Sequence, residues 1–244
     1  MDCPRAALFD VDDTLAESFQ PPRLSTLEKL RALLERVPIA LVSAAGFKRI
    51  ERDFLFPLRH SEHLRDLYIL PNSSAQAYTW ANGWNEEYSL GIPQEERMRI
   101  EELLRAADPE PDARARVIDR GVQVAYVGVG IDASLEEKRA WDPTQEKRRR
   151  MKAFLEKHLR GYEILIGGMT TIDVTMEGVN KAYGVRWLAE RLLLSPADML
   201  YVGDALYEGG NDAAVIPTGI RTRAVSGPDE TARVMDDLLA SCAR

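Results

Sequence analysis

The stretch Ala6-Ala7-Leu8-Phe9-Asp10-Val11-Asp12-Asp13-Thr14-Leu15 joins a short apolar run to a group of acidic residues. The apolar run, Ala6 to Phe9, has the composition of a buried strand that ends at a polar edge. Residues two apart at a strand end point to the same side, so Asp10 and Asp12 are expected to face one site. Because ligands of open parallel sheets bind beyond the carboxyl ends of the strands, the stretch predicts a binding site at this edge.

The segments that follow alternate between helix and strand patterns. We expect a helix that begins at a capping box formed by Ser25 and Glu28, strands at 38–42 and 67–70, and a helix at 46–54. Apolar strands separated by helices indicate a parallel sheet covered on both faces. The predicted fold class is therefore α/β, with a doubly wound, Rossmann-like core.

The pattern changes in the middle of the chain. Turn signals there predict three β-hairpins, centred on Asn82-Gly83, Arg120-Gly121 and Gly167-Gly168. Two helices are expected in the same segment, at 93–107 and 143–159. Hairpins that alternate with helices are typical of an α+β domain, which differs from the core around it.

Strand and helix patterns alternate again after Gly178, and both chain ends belong to this α/β pattern. The simplest organisation is one core interrupted by one insertion. We predict a core of residues 1–85 and 182–244 with an inserted α+β cap domain of residues 86–181.

Composition narrows the classes of function. The chain has 244 residues, a net charge of −7 and a pI of about 5.2, which argues against a dedicated nucleic-acid binder. The basic run Lys147-Arg148-Arg149-Arg150 has acidic neighbours, so a solvated helix face is favoured over a polyanion site. Apolar windows are too short for a membrane span, and the first residues lack the pattern of a signal peptide. We expect a cytoplasmic protein without nucleic-acid or membrane partners.

The two cysteines, Cys3 and Cys242, lie near opposite ends of the chain. A disulfide between them is one interpretation. Two free thiols in a reducing cytoplasm is the interpretation we favour, because disulfides are rare in that compartment.

Three further polar side chains are expected at the same sheet edge as Asp10 and Asp12. Ser43 and Asp204 each follow an apolar strand pattern, and Lys181 opens the helix that re-enters the core. The set comprises a possible nucleophile, a second carboxylate, a hydroxyl, an ammonium and a metal-ligand carboxylate. This combination of residue types points to phosphoryl transfer.

Each residue type has a chemical reason. The Asp10 carboxylate can attack phosphorus and form an aspartyl-phosphate, which divides one difficult displacement into two. Asp10 and Asp204 offer the oxygen ligands that Mg²⁺ prefers. Lys181 and Ser43 can hold the nonbridging phosphoryl oxygens, and Asp12 suits proton transfer at the leaving oxygen. Asp10, Asp12, Ser43 and Lys181 are therefore the predicted catalytic residues.

A phospho-accepting receiver module also uses acidic pairs, a hydroxyl and a lysine on a doubly wound sheet. Such a module needs an acceptor aspartate at the end of its third strand, where this chain has Leu70-Pro71-Asn72. An insertion of about 95 residues also has no place in a receiver. The enzyme is the favoured interpretation.

These motifs resemble those of a known superfamily. Asp10-Val11-Asp12-Asp13-Thr14, Ser43, Lys181 and Gly203-Asp204 with Gly210-Asn211-Asp212 look like the four ordered motifs of the haloacid dehalogenase (HAD) superfamily. The insertion is similar to the superfamily's type IIB caps. Ile172-Asp173-Val174, the Gly-Gly-Asn-Asp stretch and the segment 227–231 most resemble eukaryotic-type phosphomannomutases.

The resemblance implies residue roles beyond those argued above. Asp10 would be the nucleophile and a magnesium ligand, and Asp12 the acid/base and a ligand through its backbone carbonyl. The resemblance implies that Asp204 completes the protein ligands of magnesium. It places Asn211 and Asp212 at the phosphate and the metal-bound water, so the predicted metal residues are Asp10, Asp12, Asp204 and Asp212.

The chain also departs from the family pattern. Asp13 replaces a usual glycine, and Ser43-Ala44-Ala45 replaces a glycine-rich motif. In the cap, the resemblance predicts five substrate-binding positions. Arg120, Thr171 and Asp173 match the family pattern, Lys138 substitutes for an arginine, and Ile131 stands where a further arginine is expected. The predicted substrate-binding residues are Arg120, Lys138, Thr171, Asp173 and Asn211.

We therefore expect a magnesium-dependent phosphatase that acts on a small sugar phosphate through an aspartyl-phosphate. The alternative is a phosphomannomutase-like sugar phosphomutase. The expected oligomeric state is a monomer or homodimer.

Overall fold

The computed structural model describes residues 2–242 and contains two compact units. Of the described residues, the first unit comprises 2–88 and 180–242, and the second comprises Ser89–Val179. The first unit is called the core below, and the second is called the cap.

Within the described residues, eleven strands form two sheets. The strands are β1 (Ala6–Asp10), β2 (Ile39–Val42), β3 (Leu67–Leu70), β4 (Gln76–Trp80), β5 (Trp84–Ser89), β6 (Arg116–Asp119), β7 (Val124–Val127), β8 (Tyr162–Gly167), β9 (Thr171–Met176), β10 (Met199–Gly203) and β11 (Arg221–Ala224). The α-helices are α1 (Leu24–Leu34), α2 (Phe47–Ile50), α3 (Phe56–Leu58), α4 (Gln94–Ala107), α5 (Leu135–Trp141), α6 (Glu146–His158), α7 (Lys181–Leu192) and α8 (Pro228–Ser241). Short 3-10 segments lie at 64–66, 72–74, 196–198 and 211–218, and a π-helical segment lies at 51–55.

The core sheet has the strand order β11-β10-β1-β2-β3-β4-β5. The first five strands in this order pair in parallel, and β3 pairs with β4 in antiparallel orientation. The structure confirms the predicted α/β class and the parallel core. Because β1 is central, its carboxyl end at Asp10 lies between those of β2 and β10.

Strand β1 is buried along its whole length because both faces of the sheet are covered. Ala7 and Phe9 belong to an apolar cluster that includes residues of α1 and α8. Ala6 and Leu8 belong to a second cluster that includes residues of α7. Alternate side chains thus enter different cores, which explains why the strand is a continuous apolar run.

Two helix predictions need correction. Helix α1 begins at Leu24 with Arg23 as its N-cap and no side-chain capping bond, so the predicted capping box of Ser25 and Glu28 is wrong. The helix predicted at 46–54 is a longer helical segment in which a π-helical turn, Glu51–Leu55, separates α2 from α3.

The cap sheet is antiparallel, with the strand order β6-β7-β9-β8. Apolar residues of α4 and α6 pack with Val124, Tyr126, Ile172 and Val174 of this sheet. Helix α5 was not predicted, although Ser134 and Glu137 form a capping box at its start. The helix predicted at 143–159 is observed as α6.

The preference for two free thiols is wrong, because Cys3 and Cys242 form a disulfide. Cys3 precedes β1 and Cys242 follows α8, and their Cα atoms lie 5.0 Å apart, within the usual range for a disulfide. The preference rested on the expected compartment, whereas the pairing depends on how the fold brings two distant positions together. In the described part of the chain, no helix has the length and apolarity needed to cross a membrane.

Candidate active site

A buried lysine links two carboxylates at the end of β1. Lys181 Nζ lies 2.6 Å from Asp10 Oδ1 and 2.6 Å from Asp212 Oδ1, and all three side chains are at most 6% exposed. Lys181 is the first residue of α7, whose N-cap Asn180 accepts a hydrogen bond from the Ala182 amide. The start of the helix therefore delivers the ammonium to the end of the strand.

Asp204 completes a cluster of three carboxylates with Asp10 and Asp212. One oxygen from each lies within 4.8 Å of the others. Burial raises the pKa of Asp10 well above its usual value; Lys181 opposes the rise, whereas Asp212 and Asp204 add to it. Burial and Asp212 also raise the pKa of Asp204. Burial opposes the charge of Lys181, yet the attraction of Asp10 and Asp212 raises its pKa overall.

These electrostatics fit a divalent cation. Three carboxylates around one ammonium carry excess negative charge, and repulsion from neighbouring carboxylates adds to burial in raising the pKa values of Asp10 and Asp204. Oxygen-only ligands within a few ångströms match the preference of Mg²⁺. Asp10, Asp204 and Asp212 would hold the ion, which would supply charge neutralisation for a carboxylate facing a phosphate.

Two residues that sequence reasoning missed hold this cluster in place. Thr14 Oγ1 donates to Asp204 Oδ1 at 3.2 Å and accepts from the Asp204 amide at 3.0 Å. Tyr201 donates its hydroxyl to Asp212 Oδ1 at 2.5 Å. The second oxygen of Asp212 accepts from the Ala205 amide at 2.9 Å. Asp212 is thus both a candidate ligand and a fixed partner of Lys181.

Glycine at position 203 makes room for that arrangement. A Cβ atom on Gly203 would lie 2.4 Å from Asp212 Oδ2, too close for any side chain.

Of the other predicted residues, Asn211 lies nearby, with its Oδ1 3.4 Å from Lys181 Nζ.

The Asp12 side chain lies outside the three-carboxylate cluster and has a different partner. Arg49 donates Nη1 to Asp12 Oδ2 at 2.8 Å and Nη2 to Asp12 Oδ1 at 2.7 Å. The Phe19 amide donates to Asp12 Oδ1 at 2.9 Å. Arg49 follows Ser43 by six residues, but nothing in the sequence pattern pointed to it.

A strained turn after β3 supports the Ser43 loop. Asn72, Ser73 and Ser74 have φ values of 51°, 57° and 68°, in the left-handed region that residues other than glycine rarely adopt. The Ser73 amide donates to the Ser43 carbonyl at 2.8 Å, and the Asn72 amide donates to the Ala45 carbonyl at 2.9 Å. Ser43 Oγ accepts from the Ala45 amide at 3.0 Å. Backbone strain of this kind is concentrated at functional sites.

The structure explains the aspartate at position 13. Its φ of 58° is one that glycine adopts freely and that aspartate tolerates better than most residues. Asp13 Oδ1 accepts from the Ser18 amide at 3.0 Å. Burial and the nearby Asp204 raise the pKa of Asp13 to about 6.

The predicted cations of the cap are engaged within the cap. Arg120 donates to the Gln123 side-chain oxygen. Lys138 is buried, and its Nζ donates to the Ile131 carbonyl at 2.7 Å. Ile131 itself is 37% exposed. Their roles in substrate binding stay predictions.

Thr171 and Asp173 lie together on β9. Thr171 donates to the Gly167 carbonyl at 2.6 Å, and a Cβ atom on Gly167 would meet both Thr171 Oγ1 and Asp173 Oδ2 at 2.6 Å. The two side chains therefore form one polar patch beside a glycine that leaves them space. Their predicted contact with substrate stays a prediction.

The basic run on α6 is only partly the solvated face that was predicted. Lys147 contacts Asp108 at 2.9 Å, and the buried Arg148 pairs with Asp142 at 3.0 Å. Arg149 and Arg150 are exposed. The first two cations of the run thus have structural partners, and the last two face solvent.

Comparison with known proteins gives matches to sequences and to structures. A family model described as "Eukaryotic phosphomannomutase" matches residues 113–241. The chain is 24% identical over 254 residues to a phosphomannomutase of Triticum aestivum, with 96% of this chain and 95% of that protein covered. It is 24% identical over 243 residues to a phosphomannomutase of Spinacia oleracea, with 92% of each covered.

Among solved structures, the chain is similar to an IMP-nucleotidase of Plasmodium falciparum. The TM-score is 0.72 at 18% identity, with 98% of this chain and 68% of that chain covered. A haloacid dehalogenase-like hydrolase of Bacteroides thetaiotaomicron matches with a TM-score of 0.67 at 13% identity, covering 96% of this chain and 99% of that one. At these identities the structural matches establish a shared fold.

Proposed function

The chain belongs to the eukaryotic phosphomannomutase family, within the HAD superfamily of enzymes, and from that premise we propose that it is a magnesium-dependent phosphatase of small sugar phosphates. The observation that carries the proposal is the cluster of Asp10, Lys181, Asp204 and Asp212 at the end of β1, in which all but the half-buried Asp204 are buried. The family resemblance expected from the sequence is confirmed by the match.

In the first half-reaction Asp10 is the nucleophile. One of its carboxylate oxygens forms a bond to phosphorus while the ester bond to the sugar oxygen breaks, which leaves an aspartyl-phosphate. Lys181 and Ser43 hold the nonbridging oxygens, and Asp12 delivers a proton to the departing sugar oxygen. A magnesium ion bound by the carboxylates would lower the repulsion between two anions.

In the second half-reaction water attacks the same phosphorus. Asp12, now deprotonated, accepts a proton from that water as the new bond forms. The bond between phosphorus and the Asp10 oxygen breaks, and inorganic phosphate leaves. The enzyme returns to its starting state, with Asp10 as a carboxylate and Asp12 protonated.

The cap supports hydrolysis over isomerisation. A mutase must anchor a second phosphate while the first reacts, which calls for several cations, with arginine preferred for its two-pronged geometry. Arg120 and Lys138 already donate to oxygens within the cap, and Ile131 stands where the family pattern has an arginine. A weak anchor would release the sugar and admit water to the aspartyl-phosphate.

Family membership favours one alternative, a sugar phosphomutase, because the matched relatives are named phosphomannomutases. Two assays on one preparation separate the candidates. We expect phosphate release from hexose phosphates, and slow or absent interconversion of mannose 1- and 6-phosphates even with a hexose 1,6-bisphosphate primer. Primer-dependent isomerisation that outruns phosphate release would overturn the phosphatase in favour of the mutase.

The partner and location proposals follow from the same function. A small phosphorylated sugar is the proposed partner, and the protein is proposed to act as a monomer or homodimer in the cytoplasm. The Cys3–Cys242 disulfide argues against a cytoplasmic location, because structural disulfides are rare in reducing compartments. Titration of free thiols on the protein from freshly lysed cells would decide whether Cys3 and Cys242 are oxidised or reduced in the cell.

A further inference from the structure

Arg49 makes the most specific contact with the proposed acid/base. Its two terminal nitrogens donate to the two carboxylate oxygens of Asp12, at 2.8 and 2.7 Å. A paired contact of this type fixes the plane of the carboxylate as well as its position, which a single hydrogen bond does not. Both side chains are mostly buried, with 16% of Arg49 and 19% of Asp12 exposed.

Arg49 is itself held from two further sides. Its Nε lies 3.6 Å from the buried carboxylate of Asp53, and its Cζ lies 5.3 Å from the centre of the Phe19 ring. The Phe19 amide also donates to Asp12, and Phe19 adopts a left-handed φ of 63°. A non-glycine residue in that conformation costs about 1 kcal/mol, so the loop is shaped around this pair at some cost.

The local helix geometry is also unusual. Arg49 lies in α2, and Asp53 lies in the π-helical turn that follows directly. Single π-turns inside helices are rare and frequently occur at functional sites. The unusual turn thus presents the Asp53 carboxylate to the arginine that contacts Asp12.

The position of Arg49 is not explained by a need to neutralise the carboxylate of Asp53. Arg52 already makes a paired contact with Asp53, at 2.6 and 2.9 Å, from a side chain that is 69% exposed. Arg49 approaches Asp53 with one nitrogen only and directs its two-pronged end to Asp12. Asp12 is therefore the principal partner of Arg49.

We propose that Arg49 is a positioning residue that fixes the carboxylate of Asp12 for proton transfer at the leaving oxygen. The inference rests on the proposed function, because it gives Asp12 the acid/base role. Proton transfer requires the carboxylate to lie within hydrogen-bond reach of that oxygen, and small displacements cost rate. Without Arg49 the Asp12 side chain would keep only its contact with the Phe19 amide among the contacts described above.

The consequence is a dependence on the leaving group. Sugar oxygens are poor leaving groups that need a proton, whereas p-nitrophenolate leaves without one. Loss of correct positioning should therefore lower kcat/KM for a hexose phosphate far more than for p-nitrophenyl phosphate. The parameter kcat/KM reports the first half-reaction, so a slow second half-reaction does not mask the difference.

The test compares Arg49→Met and Arg49→Lys with Asp12→Asn as the benchmark and Arg52→Met as the matched control. Arg52 is an arginine of the same helical segment that pairs with Asp53 and has no described contact with Asp12. We expect Arg49→Met to lower kcat/KM about 30- to 100-fold for hexose phosphates and less than about threefold for p-nitrophenyl phosphate. Arg49→Lys, which keeps the charge without the two-pronged contact, should lose about tenfold for hexose phosphates. Arg52→Met should stay within about twofold for both substrates.

The outcomes separate this inference from the proposed function. Equal losses for both substrates in Arg49→Met, or a profile that matches Arg52→Met, overturn the positioning role while wild-type and Asp10→Asn activities still support the phosphatase. A wild-type protein without magnesium-dependent turnover of either ester overturns both. If Arg49→Met does not fold, the substrate ratio of Arg49→Lys decides: a ratio equal to wild type contradicts the inference.

Discussion

The cations next to the candidate catalytic residues of the core and the predicted substrate-binding cations of the cap have different partners. In the core, Lys181 bridges two carboxylates, and Arg49 contacts both oxygens of a third. In the cap, Arg120 and Lys138 donate to the neutral oxygens of an amide side chain and a backbone carbonyl. The paired charged side chains of the core lie at the ends of parallel strands. They form a site suited to a phosphate anion and a divalent cation. We infer that the core carries out phosphoryl transfer. We infer that the cap determines whether the dephosphorylated sugar is retained or released.

The largest expected effect removes the nucleophile from the core. Asp10→Asn keeps the shape of the side chain but loses the anion, so turnover should fall by about a thousandfold or more with folding intact. Steady-state phosphate release and thermal unfolding on the same preparation provide the check. If more than about a tenth of wild-type turnover remains, Asp10 is not the nucleophile.

Metal removal should have the next largest effect. A chelator should reduce activity about a hundredfold or more, and added magnesium should restore it, because the three carboxylates would otherwise repel each other and the phosphate. Calcium should inhibit, since its larger and looser ligand shell misplaces the attacking oxygen. Full activity in a metal-free buffer would contradict the proposal that the enzyme depends on magnesium.

A glycine in each unit gives a matched test of packing. Gly203→Ala places a Cβ atom 2.4 Å from Asp212 Oδ2, so we expect a loss of about 1–3 kcal/mol in the free energy of unfolding and at least a tenfold loss of activity. Gly91→Ala in the cap meets nothing within 4 Å and should leave both unchanged. Urea unfolding and phosphate release report the two quantities. Equal behaviour of the two variants would show that Asp212 is not held as described.

The smallest expected effect concerns the cap. Ile131→Arg restores the cation of the family pattern and should raise the ratio of isomerisation to phosphate release about three- to tenfold. Met98→Arg, at another exposed apolar position of the cap, controls for added charge alone. An unchanged ratio in Ile131→Arg would show that the residue at position 131 does not determine whether the protein acts as a mutase or a phosphatase.

The sequence was sufficient for the residues that lie at the ends of buried strands. Asp10 and Asp204 follow apolar runs, and parallel strands bring their carboxyl ends to one edge, so their proximity follows from the strand pattern. Lys181 could be placed because it begins a helix that returns to the same edge.

Side-chain contacts across the fold could not be predicted in the same way. The pair of Arg49 and Asp12 depends on the direction of α2 and on a π-helical turn that no periodicity indicates. The Cys3–Cys242 bond depends on where α8 ends relative to β1. The left-handed turn at 72–74 lacks glycine, the residue that normally signals such a conformation.

Trapping the phosphoryl group on the protein tests the central claim most directly. Wild-type protein mixed with magnesium and a phosphate ester is quenched within a turnover, treated with borohydride to reduce any acyl-phosphate, and mapped by peptide mass spectrometry. The account predicts conversion of Asp10 to homoserine, dependent on both magnesium and substrate, and no conversion in Asp10→Asn. Conversion at another residue, or steady turnover without any trapped acyl-phosphate, would contradict it.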